Sequence, residues 1–333
     1  MSHTDPGLLP KVELHLHLEG AAPPDFIRAL AAEQGMALEG VFDAGGQYAW
    51  TDFAQFLKTY HRACEVLRGP EEFRRLVEAV LAQSAADGVV YTEIFIAPDI
   101  CGGGDPVAWA EYVAAIVEGA QSARAAHGIE ARFISTAVRN FGPDAAERAA
   151  RLSAEVAGDR ITGFGMGGEE RHLRAADFAR AFAIAREAGL GITSHAGEVC
   201  GPESVAETLD HLRPSRIGHG VRAIESPDLV QRLVDEGIVL EVNPGSNVAL
   251  SVYPGWDSHP IDRLRKAGVQ VTVSTDDPPY FHTDMKHEYR MLAHHFGWAA
   301  EDFADINRIA MQAAFCDPQT RSAVLARLEG ARP

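Results

Sequence analysis

The sequence predicts an α/β fold: a single (β/α)₈ TIM barrel with extra helices inserted after its first strand. Three observations carry this prediction. Eight strand-like runs follow one another along the 333 residues, each trailed by a helical pattern. Most of these runs are continuously apolar rather than alternating, as expected for parallel strands covered on both faces. Eight such units in about 330 residues suit one barrel domain, residues 1–333, with no linker or internal repeat to divide it. A doubly wound open sheet is the alternative. No Gly-x-Gly-x-x-Gly follows the first strand and no phosphate-cradling loop is present, so a nucleotide cofactor has no support.

The first strand is the stretch Val12-Glu13-Leu14-His15-Leu16-His17-Leu18-Glu19-Gly20, ending in a turn. Between about Ala21 and Gly88 the pattern turns helical. One helix opens at Pro24-Asp25-Phe26 and carries Ile27, Leu30 and Ala31. A second follows Thr51 as N-cap, with Phe53, Phe56, Leu57 and Tyr60 at helical spacing. These aromatics read either as core packing or as an apolar lid over the mouth of the first strand.

From there strands and helices alternate. The strands are Val89–Ile96, Arg132–Val138, Ile161–Met166, Gly191–His195, Ser215–His219, Ile238–Val242 and Val269–Ser274. Helices are expected over Pro106–Ala126, Ala145–Ala157, Ala175–Ala188, Pro202–Leu212, Ser226–Glu236 and His259–Ala267, with a helical region after the last strand.

Formal net charge is −17, with no Lys/Arg-rich run, so nucleic acid is not an expected partner. Cys64, Cys101, Cys200 and Cys316 are scattered, with no Cys-x-x-Cys pair. They read as thiols of a reducing compartment rather than a disulfide framework or a thiolate metal cage. The N-terminus Met-Ser-His-Thr-Asp-Pro-Gly has neither a basic start nor an apolar stretch, and no run approaches a membrane span. A cytoplasmic protein without membrane attachment is the expectation.

Barrel enzymes place their chemistry at the C-terminal ends of strands. His15 and His17 stand two apart, so they point to one face of the first strand. Four further strand ends carry polar groups beside glycines or turns: Gly167-Gly168-Glu169-Glu170, His195-Ala196-Gly197-Glu198, Gly218-His219-Gly220 and Thr275-Asp276-Asp277-Pro278. His15, His17, His195 and Asp276 form a nitrogen and oxygen set suited to Zn²⁺ with a position left for water. Glu198 is a candidate general acid or base, and His219 and Asp277 are candidates to orient the nucleophile. Each has a plainer reading: His219 as a satisfied core histidine, Asp277 as a turn cap, Glu198 as an acid favoured by a helix N-terminus, Gly168 and Glu169 as a turn.

With these motifs in order, together with Ser246-Asn247, the chain resembles the adenosine deaminase family from Pro10-Lys11 to the helices after Asp277. The resemblance implies an aminohydrolase acting on a cyclic amidine, with one zinc per chain on His15, His17, His195 and Asp276. Glu198 would give a proton to N1 of the purine, His219 would position the attacking hydroxide, and Asp277 would bond N7. The backbone at Gly168 would meet N3, with His17 and Glu19 also facing a small-molecule purine nucleoside or base. Gly167-Gly168-Glu169-Glu170 and Ile217-Gly218-His219 resemble the adenosine-specific branch. The adenine branch more often has an acidic residue at the place of Gly218 and Gly-Gly-Tyr after Asp-Asp-Pro, where this chain reads Phe281-His282-Thr283. Adenosine and 2′-deoxyadenosine are therefore the expected substrates. Free adenine or another 6-aminopurine is the alternative, and a non-catalytic purine-binding barrel a remote one. Two positions depart from the adenosine pattern. Glu19 stands where those enzymes usually carry Asp to meet the ribose 5′-hydroxyl, and Asn243-Pro244-Gly245-Ser246 replaces the usual Cys-Pro start.

Overall fold

The computed structural model describes residues 5–330. Its eight strands lie in sequence order, β1 beside β2 through to β8, and every neighbouring pair is parallel. They are β1 (Lys11–His17), β2 (Val89–Ile96), β3 (Glu130–Val138), β4 (Ile161–Gly167), β5 (Gly191–Ala196), β6 (Arg216–His219), β7 (Val239–Val242) and β8 (Gln270–Val273). The ring closes just beyond β8. His17 donates its backbone N–H to the Asp276 carbonyl at 3.0 Å, and Asp276 donates its own to the His15 carbonyl at 3.2 Å. The barrel is thus the predicted one, and its closing bonds join two segments that carry candidate ligands.

Three helices fill the insertion after β1: α1 (Pro24–Glu33), α2 (Phe53–Cys64) and α3 (Pro70–Ala86). The cap of α2 is Asp52, not Thr51: the Asp52 carboxylate accepts the Gln55 N–H at 2.9 Å. Thr51 instead bonds the Gln55 side chain through its N–H and hydroxyl, so a second polar residue at the boundary displaced the cap by one position.

The outer helices are α4 (Pro106–His127), α5 (Gly142–Glu155), α6 (Ala179–Glu187), α7 (Pro202–Leu212), α8 (Pro227–Glu236), α9 (Pro244–Ala249), α10 (Ile261–Lys266), α11 (Met285–Phe296), α12 (Ala300–Ala313) and α13 (Pro318–Gly330). The predicted helix from Ala175 begins as a 3₁₀ turn, Ala175–Phe178, before α6. The six-residue α9 was not expected. It follows β7 directly, with Pro244 at its first position, and carries Ser246 and Asn247.

Apolar packing is continuous between strands and helices. Phe164 of β4 packs edge-on against Phe182 of α6, and both are fully buried. Burial of one such side chain is worth about 1.5–3 kcal/mol. The bore itself is not apolar. Glu93, Arg216 and Glu241, from β2, β6 and β7, meet inside it with no exposed side-chain surface. The Arg216 guanidinium lies 2.6 Å from a carboxylate oxygen of each. Among the described residues no helix is long and apolar enough to cross a membrane.

Candidate active site

The C-terminal ends of β1, β5 and β8 bring His15, His17, His195 and Asp276 together. His15 Nε2 is 3.0 Å from His195 Nε2, which is 3.2 Å from His17 Nε2. Asp276 Oδ1 lies 3.4 Å from His15 Nε2 and 3.3 Å from His17 Nε2. The other nitrogens of two of these rings are already engaged. His15 Nδ1 donates to the Glu241 carboxylate at 2.8 Å, and His195 Nδ1 donates to the Met166 carbonyl at 2.9 Å. With neutral rings, the facing Nε2 atoms of His15 and His195 are therefore both lone pairs and cannot bond each other. Lone pairs held this close need a cation between them, either a metal ion or a second proton on His15, which burial opposes but Asp276 and Glu241 favour, raising the ring to about 9. A tetrahedral ion with bonds of about 2.0–2.1 Å sets its ligands about 3.3–3.4 Å apart, so this donor set fits one. His15, His195 and Asp276 are buried and His17 is half-buried. Burial opposes charge on Asp276, but the two histidines and His219 outweigh it and hold the carboxyl well below its usual range.

Two of the site residues have strained backbones. His219 and Asp276 have φ of +61° and +67°, a left-handed region uncommon for non-glycine residues. At these angles each side chain turns off its strand end. His219 Nε2 lies 3.7 Å from Glu198 Oε2 and 3.9 Å from Asp276 Oδ2, so Glu198, His219 and Asp276 form a second convergence sharing one member. Ser246, on the unexpected α9, donates its hydroxyl to Asp276 Oδ2 at 2.7 Å.

Burial, then the Asp276 and Glu170 charges, pushes Glu198 up to about 8, so its carboxyl holds a proton at neutral pH. Burial lowers His219 to about 4 and keeps it neutral. Asp277 is raised well above the carboxylate range by burial and by the Asp276, Glu198 and Glu19 charges. Burial raises Glu19 to about 7.

A cavity of about 250 Å³ opens over these groups, lined in part by Glu19, Gly168, Glu198, His219 and Asp277. That lies near the small end of ligand pockets, which run from about 300 to 1,000 Å³. Glu19 Oε1 and Asp277 Oδ1 are buried there without a protein hydrogen-bond partner. Gly20 is required by Asp277: a Cβ on it would stand 1.5 Å from Oδ1. Phe56 and Tyr60 of α2 line this cavity, while the Phe53 side chain lies outside the described part of the structure. All the sequence-predicted site residues thus meet at one end of the barrel.

Other site residues had no role assigned from sequence, although Glu170 lies in the motif Gly167-Gly168-Glu169-Glu170. Glu241 and Arg216 support His15 from below. Glu170 accepts four consecutive backbone N–H groups, Gly197 to Cys200, and the Ser204 hydroxyl. Burial opposes ionisation there, but these donors hold its carboxyl below the usual range.

The adenosine deaminase family profile matches residues 10–331. The chain belongs to that family. It is therefore a metal-dependent aminohydrolase on a barrel scaffold. The adenine deaminase of Rhizobium leguminosarum bv. trifolii (strain WSM2304) is 51% identical over 324 residues, covering 96% of this chain and 99% of that protein. The crystal structure of adenine deaminase from Arthrobacter aurescens has a TM-score of 0.85 at 28% identity, covering 97% of this chain and 98% of that one. An amidohydrolase from Burkholderia ambifaria with bound Zn also has a TM-score of 0.85 at 28% identity, covering 98% and 91%.

These relatives overturn adenosine as the expected substrate. The physical reason is that the features read as adenosine-specific are set by packing within this barrel. A Cβ on Gly218 would come within 2.8 Å of the His15 ring, and one on Gly168 within 2.5 Å of Asn140 Oδ1. Glu170 anchors a loop, and Phe281 is buried against Phe56 and Trp50. None of these reports on a ribose. Glu19, which departs from the adenosine pattern, does face the cavity.

Proposed function

We propose that this protein deaminates free adenine hydrolytically, giving hypoxanthine and ammonia. The observation that carries the reading is Glu19: a buried carboxyl in a small cavity, with Oε1 unpartnered. Free adenine carries an N–H on its imidazole ring, and in adenosine that ring bears the ribose at N9. An unpaired carboxyl oxygen is an acceptor for such an N–H, and leaving it unmet costs about 1–3 kcal/mol. The high identity to proteins named adenine deaminase supports the same substrate.

His15, His17, His195 and Asp276 would hold one zinc ion, which when bound makes a water nucleophilic near neutral pH. Glu198, protonated at neutral pH, gives its proton to N1 and so draws electrons from C6. His219 directs Nε2 towards the attacking water. Asp277, whose carboxyl is held well above its usual range by burial and the neighbouring acids, bonds N7, while the Gly168 backbone meets N3. Phe56 and Tyr60 give the cavity an apolar wall. The chemistry sits in one (β/α)₈ domain, and four unpaired cysteines suit a cytoplasmic setting.

The test is product formation by the zinc-replete protein. Adenine should yield hypoxanthine and ammonia, and Glu198→Gln should bind zinc but turn over at least about 100-fold more slowly, the lower bound of the general-acid range. Undiminished turnover by that variant would show that Glu198 is not the proton donor to N1.

A further inference from the structure

His259 lies beyond the cavity lining, between the 3₁₀ turn Trp256–Ser258 and α10, and is 2% exposed. Its Nδ1 accepts the backbone N–H of Ile261 at 3.3 Å. That donor has no alternative polarity, so a neutral His259 carries its proton on Nε2. Burial keeps the ring neutral, lowering it to about 3. Nε2 lies 3.1 Å from Asn247 Oδ1, so the ring donates there and fixes which end of the amide faces it. The Asn247 amino group then points at His219 Nδ1, 3.2 Å away, and donates to it. The Asn243 side-chain nitrogen lies 3.3 Å from the same atom. A neutral His219 whose Nδ1 accepts must hold its proton on Nε2, the atom facing Glu198 and Asp276.

We infer that His259 is a positioning residue: through Asn247 it fixes the tautomer of His219, so that an N–H and not a lone pair faces the reacting water. The chain of polarity starts at a backbone N–H, runs through three fully enclosed side chains and ends in the site. It rests on His219 being the residue that orients the attacking water. It also separates the two convergences of donors, because an Nε2 that carries a proton is not a metal ligand.

The test is ¹⁵N-histidine NMR of the zinc-loaded protein, with the His219 signals assigned by their loss in His219→Asn. Wild type should show His219 as the neutral Nε2–H form. Asn247→Asp places a carboxylate where the amino group was, so His219 should become the Nδ1–H form. His259→Phe, which removes the donor to Asn247, should give a mixture. His259→Gln keeps a donor and should retain the wild-type form. The kcat for adenine should fall roughly 10- to 100-fold in the first and second variants, with KM within about twofold, and recover in the Gln variant. An Nε2–H signature persisting in both Asn247→Asp and His259→Phe would overturn the inference. The NMR reading stands whatever purine is turned over, so failure of adenine as substrate would be seen separately.

Discussion

The Glu170 carboxylate, in the loop after β4, accepts the backbone N–H of Glu198 at 3.1 Å. It also accepts Val199 and Cys200 at 2.8 and 2.9 Å, and the Gly197 N–H beside them. One buried anion thus sets the loop after β5 against the loop after β4. Glu198 is carried by the first loop and Gly168 by the second, so Glu170 fixes the distance between the proposed proton donor and the opposite wall of the cavity.

Replacing Glu170 with Gln presents an amino group to donors that need an acceptor, and the loop must shift. A displacement of about 1 Å at a reacting group costs roughly 100-fold in rate. Glu170→Gln is expected to lose kcat on that scale while retaining zinc, because none of the four proposed ligands touches it. Steady-state kinetics beside metal analysis checks this; wild-type kcat would show that the loop holds itself.

Below the proposed metal site, His15 Nδ1 donates to Glu241, which Arg216 and the Thr193 hydroxyl hold ionised against burial. A carboxylate behind a ligating histidine fixes its tautomer and raises its basicity. Glu241→Gln is expected to weaken zinc binding roughly 10- to 100-fold, read by competition with a chelator. Arg216→Met leaves Glu93 and Glu241 buried without a cation and should cost about 3–5 kcal/mol of stability in a denaturant titration.

Glu288 of α11 is fully buried, and burial raises its carboxyl to about 8 although the Thr283 hydroxyl and Gly245 N–H favour the anion. Below about 4.5 folded and unfolded chains both hold this proton. From there to about 8 only the folded chain does, so stability from Glu288 falls as pH rises and is lost above 8. Glu288→Gln abolishes that term. Relative to wild type it should gain on the order of a few kcal/mol between pH 5 and pH 8. Urea unfolding at several pH values measures it; a difference independent of pH would contradict it.

The barrel was legible because eight apolar runs alternate with helices, and the His-x-His spacing placed two donors on one face. His195 and Asp276 were legible because each ends a strand beside a turn. Less visible were groups whose meaning lies in three dimensions. Arg216 and Glu93 are 123 positions apart, and nothing in either local pattern pairs them. Glu170 resembles an ordinary turn acid until four backbone donors are seen around it. His259 carries no motif at all. The choice of substrate was misread for a related reason: Gly218 is constrained by the His15 ring, which no strand-by-strand reading shows. The one-methylene difference at Glu19 is the departure that faces the cavity.

Adenine as the substrate is tested most directly by the ratio of kcat/KM for adenine to that for adenosine, measured on the same zinc-loaded preparation. A ratio of at least about 100 is expected, because rejecting the nucleoside combines crowding at Glu19 with loss of its imidazole N–H partner. A ratio near or below one would contradict it.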